Sequence, residues 1–327
     1  MTWSIVLIHK GNQNYLRYNL HLLSRLSPQC DIILAGDESN RQFAGQVERC
    51  KWISIEDLAS EDLAYQSFVQ SYQHFSVNPF GYERFCFERW FLLSNLAKAN
   101  RLDNFVYLDT DNILLTSPGD FLKNYTNFDY GQTIKPSAPE FIFFQDIKVI
   151  NAFCNYLLDL YSNSYEILKE VSLQNTHKIW NGTHPSGAHI HFSDMWAMLD
   201  FWENTQGSNA EIHKFETCRF RHVCIPEFME NNSINMHGFR RYKSNLYRFD
   251  GQDRSLSTLH EGQWLRINMM HFQGGAKEYI KDFYVKFLRA LDEKSQFECK
   301  IKPSSKFEKG LEKLGRAIKR NLNSLNS

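Results

Sequence analysis

Two aspartates, Asp109 and Asp111, stand one residue apart behind an apolar run in "FVYLDTDNILL" (Phe105–Leu115). Like charges this close repel and resist desolvation unless something positive lies between them. Two carboxylates converging at a strand end suit a hard divalent cation, Mn²⁺ or Mg²⁺, with coordination positions left for substrate phosphates. Strand alternation would send both side chains to one side. Taken alone, the pair reads equally well as turn-forming aspartates capping a strand. Much later, "HFQGGAKEY" sets His271, Gly274 and Lys277 at H-x-x-G-x-x-K spacing, again after an apolar run. A neutral imidazole can complete a metal shell begun by carboxylates. A glycine lets the backbone approach a phosphate closely, and a lysine can neutralise the same diphosphate as a point charge. By itself this spacing is weak, and His271 could be a core histidine. With D-x-D upstream the two patterns complete one another.

The combination resembles the hallmarks of GT-A fold glycosyltransferases, most closely the glycogenin and lipooligosaccharide galactosyltransferase group. In that group the two aspartates and the histidine ligate Mn²⁺, and the metal holds the diphosphate of a nucleotide sugar. The resemblance therefore implies Asp109, Asp111 and His271 as metal ligands, with Gly274 and Lys277 on the phosphates. It implies transfer of a hexose from a nucleotide sugar, a UDP-sugar in this group, to a saccharide or glycolipid hydroxyl, with retention at the anomeric carbon. It covers the N-terminal half and the late strand and turn, and matches the middle only loosely. The group's Pro-Trp after the lysine is absent, with Glu278 and Tyr279 in its place.

The elements that must position these residues are legible in part. "SIVLIH" (Ser4–His9) is a short apolar run before a turn signal, "KGNQN". "YLRYNLHLLSRL" (Tyr15–Leu26) carries leucines at helical spacing, and "DIILAGDES" (Asp31–Ser39) is a second strand ending in Gly and Asp. Strand, helix and strand in succession make a βαβ unit, so the expected fold is α/β, with a central, mainly parallel mixed sheet flanked by helices. A long helix over Tyr82–Leu102 leads into D-x-D. "FIFFQDIKVI" (Phe141–Ile150) is a strand or a strand entering a helix, "FSDMWAMLDFWEN" (Phe192–Asn204) a helix, and "WLRINMMHFQGGAKEYI" (Trp264–Ile280) a late strand, a glycine-rich turn and a helix start. Residues 1–300 are expected to form one catalytic domain and 301–327 a tail.

Other side chains stand where ligands are expected. His9, Lys10 and Gly11 end the first strand, where enzymes of the resembled type seat base and ribose. Asp37 ends the second and has the same two readings, nucleoside contact or turn chemistry. Arg84, on the helix before D-x-D, is the expected diphosphate cation; Arg89 is expected to be solvated or paired with Glu88 or Glu83. Asp194, behind a possible N-cap Ser193, is either an acceptor-side carboxylate able to serve as general base or a helix cap. His184, His189 and His191 lie too irregularly for a second metal site. Trp180 and Trp196 could stack on a sugar, with core packing as the default.

The bulk properties bound the partners. The chain has 327 residues, 43% of them hydrophobic, enough for a sizeable core, and a formal charge of zero, so no basic field argues for nucleic acid. The first residues read as a core strand and not as a signal peptide, and no apolar stretch nears the roughly 20 residues a bilayer span needs. The scattered, odd-numbered cysteines suit reduced thiols in the cytoplasm. In "KFEKGLEKLGRAIKRNLNSLNS" (Lys306–Ser327), Phe307, Leu311, Leu314, Ile318, Leu322 and Leu325 recur at helical steps among lysines and arginines. This is a basic amphipathic helix suited to an anionic membrane surface or to docking on its own domain. Three alternatives remain: an inverting transferase with Asp194 as base, a phosphatase of the haloacid dehalogenase type, and a non-catalytic membrane-binding scaffold. The phosphatase fits poorly, because D-x-D lies far from the N-terminus and Ile113 follows it where Thr or Val is expected.

Overall fold

A computed structural model describes residues 3–60, 62–132, 140–162, 165–180, 191–205, 222–224, 233–235, 245–250, 255–260, 263–272, 277, 280–294 and 296–301. Gly274, His184, His189 and the basic tail lie outside the described residues.

The main sheet is built from β1 (Ser4–His9), β2 (Asp31–Gly36), β3 (Cys50–Ser54), β4 (Phe105–Leu108), β6 (Tyr130–Gln132), β7 (Phe141–Phe144) and β8 (His222–Cys224); β5 (Asn112–Leu114) follows β4 but leaves the sheet. Its order is β3-β2-β1-β4-β7-β6-β8. All neighbours are parallel except those of β7, which runs against β4 and β6. The fold is thus α/β with a mixed, mainly parallel sheet. A parallel strand buried on both faces should read as an unbroken apolar run. "SIVLIH" and "FVYL" do, and every residue of β4 is buried.

Helices cover both faces. The Tyr15–Leu26 helix sets Leu16, Leu20 and Leu23 against Ile5, Leu7, Ile32 and Leu34 of β1 and β2. Its other apolar edge, Tyr18, Leu22 and Leu26, packs with Phe283 and Phe287 of the Ile280–Glu293 helix. On the opposite face, the Phe80–Ala99 helix buries Phe87, Trp90, Phe91 and Leu93 with Tyr107 and with the Ile147–Ser162 and Asp194–Thr205 helices. Two smaller sheets are also present among the described residues. β5, β13 (Met269–His271) and β9 (Ser233–Asn235) form one, and β10 (Asn245–Asp250), β11 (Ser255–His260), β12 (Gln263–Ile267) and β14 (Gln296–Ile301) form the other.

Several expected boundaries move. The second strand stops at Gly36, because Asp37 caps a short 3-10 turn by accepting from the Ser39 N–H. The helix before D-x-D starts at Phe80, after Pro79, and ends at Ala99. The Phe192–Asn204 helix begins at Asp194, and the late strand breaks at Asn268 into β12 and β13. The chain runs from β1 to β2 on one side and reaches β4 on the other, so the sheet switches direction between β1 and β4. In open α/β sheets the crevice beyond the strand carboxyl ends at such a switch point receives ligands.

Candidate functional site

Asp109 and Asp111 occupy that crevice, but on a turn and not on a continued strand. The Asn112 N–H donates to the Asp109 carbonyl at 2.9 Å and reverses the chain between β4 and β5. The buried Asn19 Nδ2 donates to the carbonyls of Thr110 (2.8 Å) and Asn112 (2.7 Å). Asn112 Nδ2 and the Asp109 N–H both donate to the Glu140 carbonyl, at 2.7 and 2.9 Å. From the far end of the chain, β13 pairs with β5 so that His271 stands opposite Asn112, and the Phe272 N–H donates to the Asp111 carbonyl at 2.8 Å. That pairing carries the late motif to the early one.

Because Asp109–Asp111 lie on this turn and not on a strand, alternation does not set their side-chain directions; each aspartate meets its own set of partners within the crevice. Asp109 Oδ1 accepts from Arg89 Nη1 and from the Tyr107 hydroxyl, both at 2.7 Å. Asp111 Oδ1 faces His271 Nε2 at 3.5 Å, and its Oδ2 meets Lys277 Nζ at 3.0 Å. The cation beside Asp109 is Arg89, not the expected Arg84. Arg89 is also neither solvated nor paired with Glu88 or Glu83: its Nη2 reaches Asp194 Oδ2 at 2.5 Å, and Trp90 Nε1 donates to the same oxygen at 3.1 Å. Arg84 instead lies 2.7 Å from Glu88, an ion pair whose angle makes no hydrogen bond. Positions 89 and 90 face the sheet while position 84 turns away, a distinction that helical phase at the predicted start did not resolve.

The electrostatics follow from these contacts. Burial raises the Asp109 carboxyl; Arg89 pulls it down and the charge of Asp111 pushes it up again, leaving it above the usual range. Burial also works against ionised Asp111, but the His271 hydrogen bond and charge, with Lys277, outweigh it and bring the carboxyl to about 2. Burial depresses His271 and Lys277, yet Asp111 raises both above their ordinary values. Burial disfavours charge on Arg89 as well, and Asp194, Tyr107 and Asp109 more than restore it.

At the β1 and β2 ends, His9 Nε2 meets Gln13 Oε1 at 2.5 Å and its Nδ1 meets Thr110 Oγ1 at 2.9 Å. Burial lowers the His9 pKa, despite Gln13, so its imidazole is neutral at neutral pH. Tyr15 packs edge-on to His9 and lies under Lys277, whose Nζ is 5.4 Å from the ring centroid. The Gly11 N–H donates to Asp37 Oδ2 at 2.6 Å, and the φ of +104° at Gly11 is a value glycine alone adopts readily. Buried Asn40 ties this corner together, donating to the His9 and Gly11 carbonyls and accepting from Trp52 Nε1. Lys10 lies over the Phe85 ring. Asp37 sits below its ordinary pKa: burial opposes ionisation, and donors from Ser39 and Gly11 exceed that.

The crevice thus brings together His9, Asp37, Asp109, Asp111, Asp194, His271 and Lys277. Trp196 packs in the core and His191 lies against Ser76, so neither lines the crevice as a free group. Arg89, Asn19 and Asn40 were not singled out for these roles. Asn19 does leave a trace, a lone amide amid leucines. As a donor set, two carboxylates on a clamped turn and an imidazole from β13 match the ligand chemistry of Mn²⁺ or Mg²⁺. Among the described residues no three His, Cys, Asp or Glu side chains are drawn into one closed shell; Arg89 and Lys277 neutralise the two aspartates instead.

No family model matches the chain, and no curated protein does. The solved structures it is similar to include glycosyltransferases. Mouse xyloside xylosyltransferase 1 is 12% identical at a TM-score of 0.45, over 74% of this chain and 92% of that one. The galactosyltransferase LgtC, with donor and acceptor sugar analogs, is 12% identical at 0.41, over 89% and 95%. The glycosyltransferase GlyE of Streptococcus pneumoniae TIGR4 is 9% identical at 0.44, over 93% and 66%.

Proposed function

We propose that the protein is a metal-dependent glycosyltransferase of the GT-A type, moving a hexose from a UDP-sugar to a hydroxyl of a saccharide or glycolipid acceptor with retention. The observation that carries this is the meeting of Asp111, His271 and Lys277, drawn from distant parts of the sequence, at the switch point of the sheet. Asp109, Asp111 and His271 would hold the cation. Bound there, Mn²⁺ or Mg²⁺ supplies Lewis-acid stabilisation of the diphosphate leaving group. Lys277 lies beside Asp111 with its charge strengthened, suited to a phosphate, and Gly274 belongs to the same turn by sequence. His9, Lys10, Gly11 and Asp37 serve the base and ribose on the β1 and β2 side.

Arg89 takes the diphosphate role expected of Arg84. Its fork is fixed by Asp109 and Asp194, so its orientation is set before substrate arrives. Asp194, already accepting from Arg89 and Trp90, suits holding Arg89 and meeting a sugar hydroxyl better than abstracting a proton. That favours retention over an inverting reaction with Asp194 as base. A cytoplasmic position on the inner face of a membrane rests on the basic tail. No helix among the described residues is long and apolar enough to cross one.

The test is nucleotide-sugar hydrolysis with Mn²⁺, with EDTA, and in Asp111→Ala. Turnover lost on chelation and in the variant supports the reading. Turnover indifferent to both contradicts it.

A further inference from the structure

Gln132 ends β6 at the sheet edge that carries Asp109, and it is fully buried. Neither its Nε2 nor its Oε1 has a hydrogen-bond partner among the described residues. A carboxamide can make about four hydrogen bonds. Enclosing both ends unpaired lowers stability relative to an apolar side chain of the same shape. Its described neighbours in the row, Ile142 and Tyr107, are apolar and aromatic.

The register locates the amide. Gln132 pairs with Ile142, and Ile142 pairs with Tyr107. Directly opposed residues project from the same face, so the three form one row beneath the Phe80–Ala99 and Asp194–Thr205 helices. At one end of the row, the Tyr107 hydroxyl touches Asp109 and Arg89. Gln132 is at the other end, two strand spacings or roughly 10 Å away. His9, Gly11 and Asp37 lie across β4 on the opposite side, at β1 and β2. A nucleotide sugar with its nucleoside at β1 and β2 and its diphosphate at Asp109 and Asp111 therefore points its sugar along this row, towards β7 and β6.

We infer that Gln132 is a specificity-determining residue that reads sugar hydroxyls, an inference that rests on the glycosyltransferase reading above. Each hydroxyl both donates and accepts, so a pair on adjacent ring carbons satisfies the N–H and C=O ends of one amide together. Gln132 has no contact with solvent, so a partner must reach it from inside the protein, as a sugar hydroxyl entering from the Tyr107 end of the row would. An unpaired amide kept at the expense of stability is the expected signature of a functional position.

Gln132→Leu and Gln132→Met test this by kinetics and by melting. The ligand-free variants should melt about 1–3 °C higher, since no partner is lost. With Mn²⁺, binding of bare UDP should be unchanged. Hydrolysis of the preferred UDP-sugar should lose about tenfold in kcat/KM, with poorer discrimination between epimeric sugars. If the hydroxyls belong to the acceptor, the tenfold loss appears only in the acceptor KM during transfer. Either loss supports the inference. Unchanged kinetics towards donor and acceptor overturn it, and a lower melting point alongside would assign the amide to a buried water. A wild-type chain inactive with every nucleotide sugar fails the parent reading, and the role of Gln132 falls with it. An active wild type matched by both variants overturns the inference alone.

Discussion

Arg89 holds two carboxylates at once, Asp194 buried and Asp109 half-buried, and its removal leaves both uncompensated. Breaking one partner out of a buried ion pair costs about 3–5 kcal/mol. Arg89→Met should therefore lower unfolding stability by about that amount in urea titration and abolish turnover. Arg89→Lys keeps the charge but cannot span Asp109 and Asp194 with one planar fork, so it should recover stability better than activity. Equal recovery of both would show that the fork geometry does not matter. At this scale the sequence pointed to residues whose chemistry is intrinsic to their type, the paired aspartates and His271, and the structure brings them to one crevice. The sequence was not legible for Arg89 and Arg84, because two arginines on one helix differ only in the face they present. That face depends on packing of Trp90 against Tyr107, at 5.3 Å between ring centroids, which no local pattern encodes.

Buried asparagines fix both the D-x-D turn, through Asn19 and Asn112, and the β1–β2 corner, through Asn40. Asn19→Ala frees the carbonyls of Thr110 and Asn112 inside the protein. It should cost about 1–3 kcal/mol and weaken Mn²⁺ affinity, readable by calorimetric titration. Unaltered affinity would mean the turn holds its shape without Asn19. Gly36→Ala places a Cβ 1.9 Å from Asn40 Oδ1. Asn40 is fully buried and tied to His9, Gly11 and Trp52, so it cannot swing aside. A loss of about 1–3 kcal/mol is expected, with weaker UDP binding. Strands such as Ser4–His9 and the Tyr15–Leu26 helix stand where their periodicity placed them, because both bury regular apolar faces. The antiparallel entry of β7 and the pairing of β5 with β13 were hidden, since register between distant segments leaves no mark in either segment alone.

Over the whole molecule, the site exists only because the chain closes on itself. The first strand supplies His9, the middle supplies the aspartates, and β13 returns with His271 before Lys277. The tail, by its sequence pattern, is proposed to meet a membrane surface. Truncation after Lys302 should abolish co-sedimentation with anionic liposomes while leaving hydrolysis intact, and undiminished co-sedimentation would remove the membrane proposal. The central claim, that Asp109, Asp111 and His271 join a divalent cation to a nucleotide diphosphate sugar, is tested most directly by melting temperature. Ligands that bind only the native state raise it. UDP-sugar should raise it by several degrees with Mn²⁺, negligibly with EDTA, and negligibly with Mn²⁺ in Asp111→Ala. Equal shifts in all three would contradict the claim, as would no shift with any UDP-, GDP- or CDP-sugar.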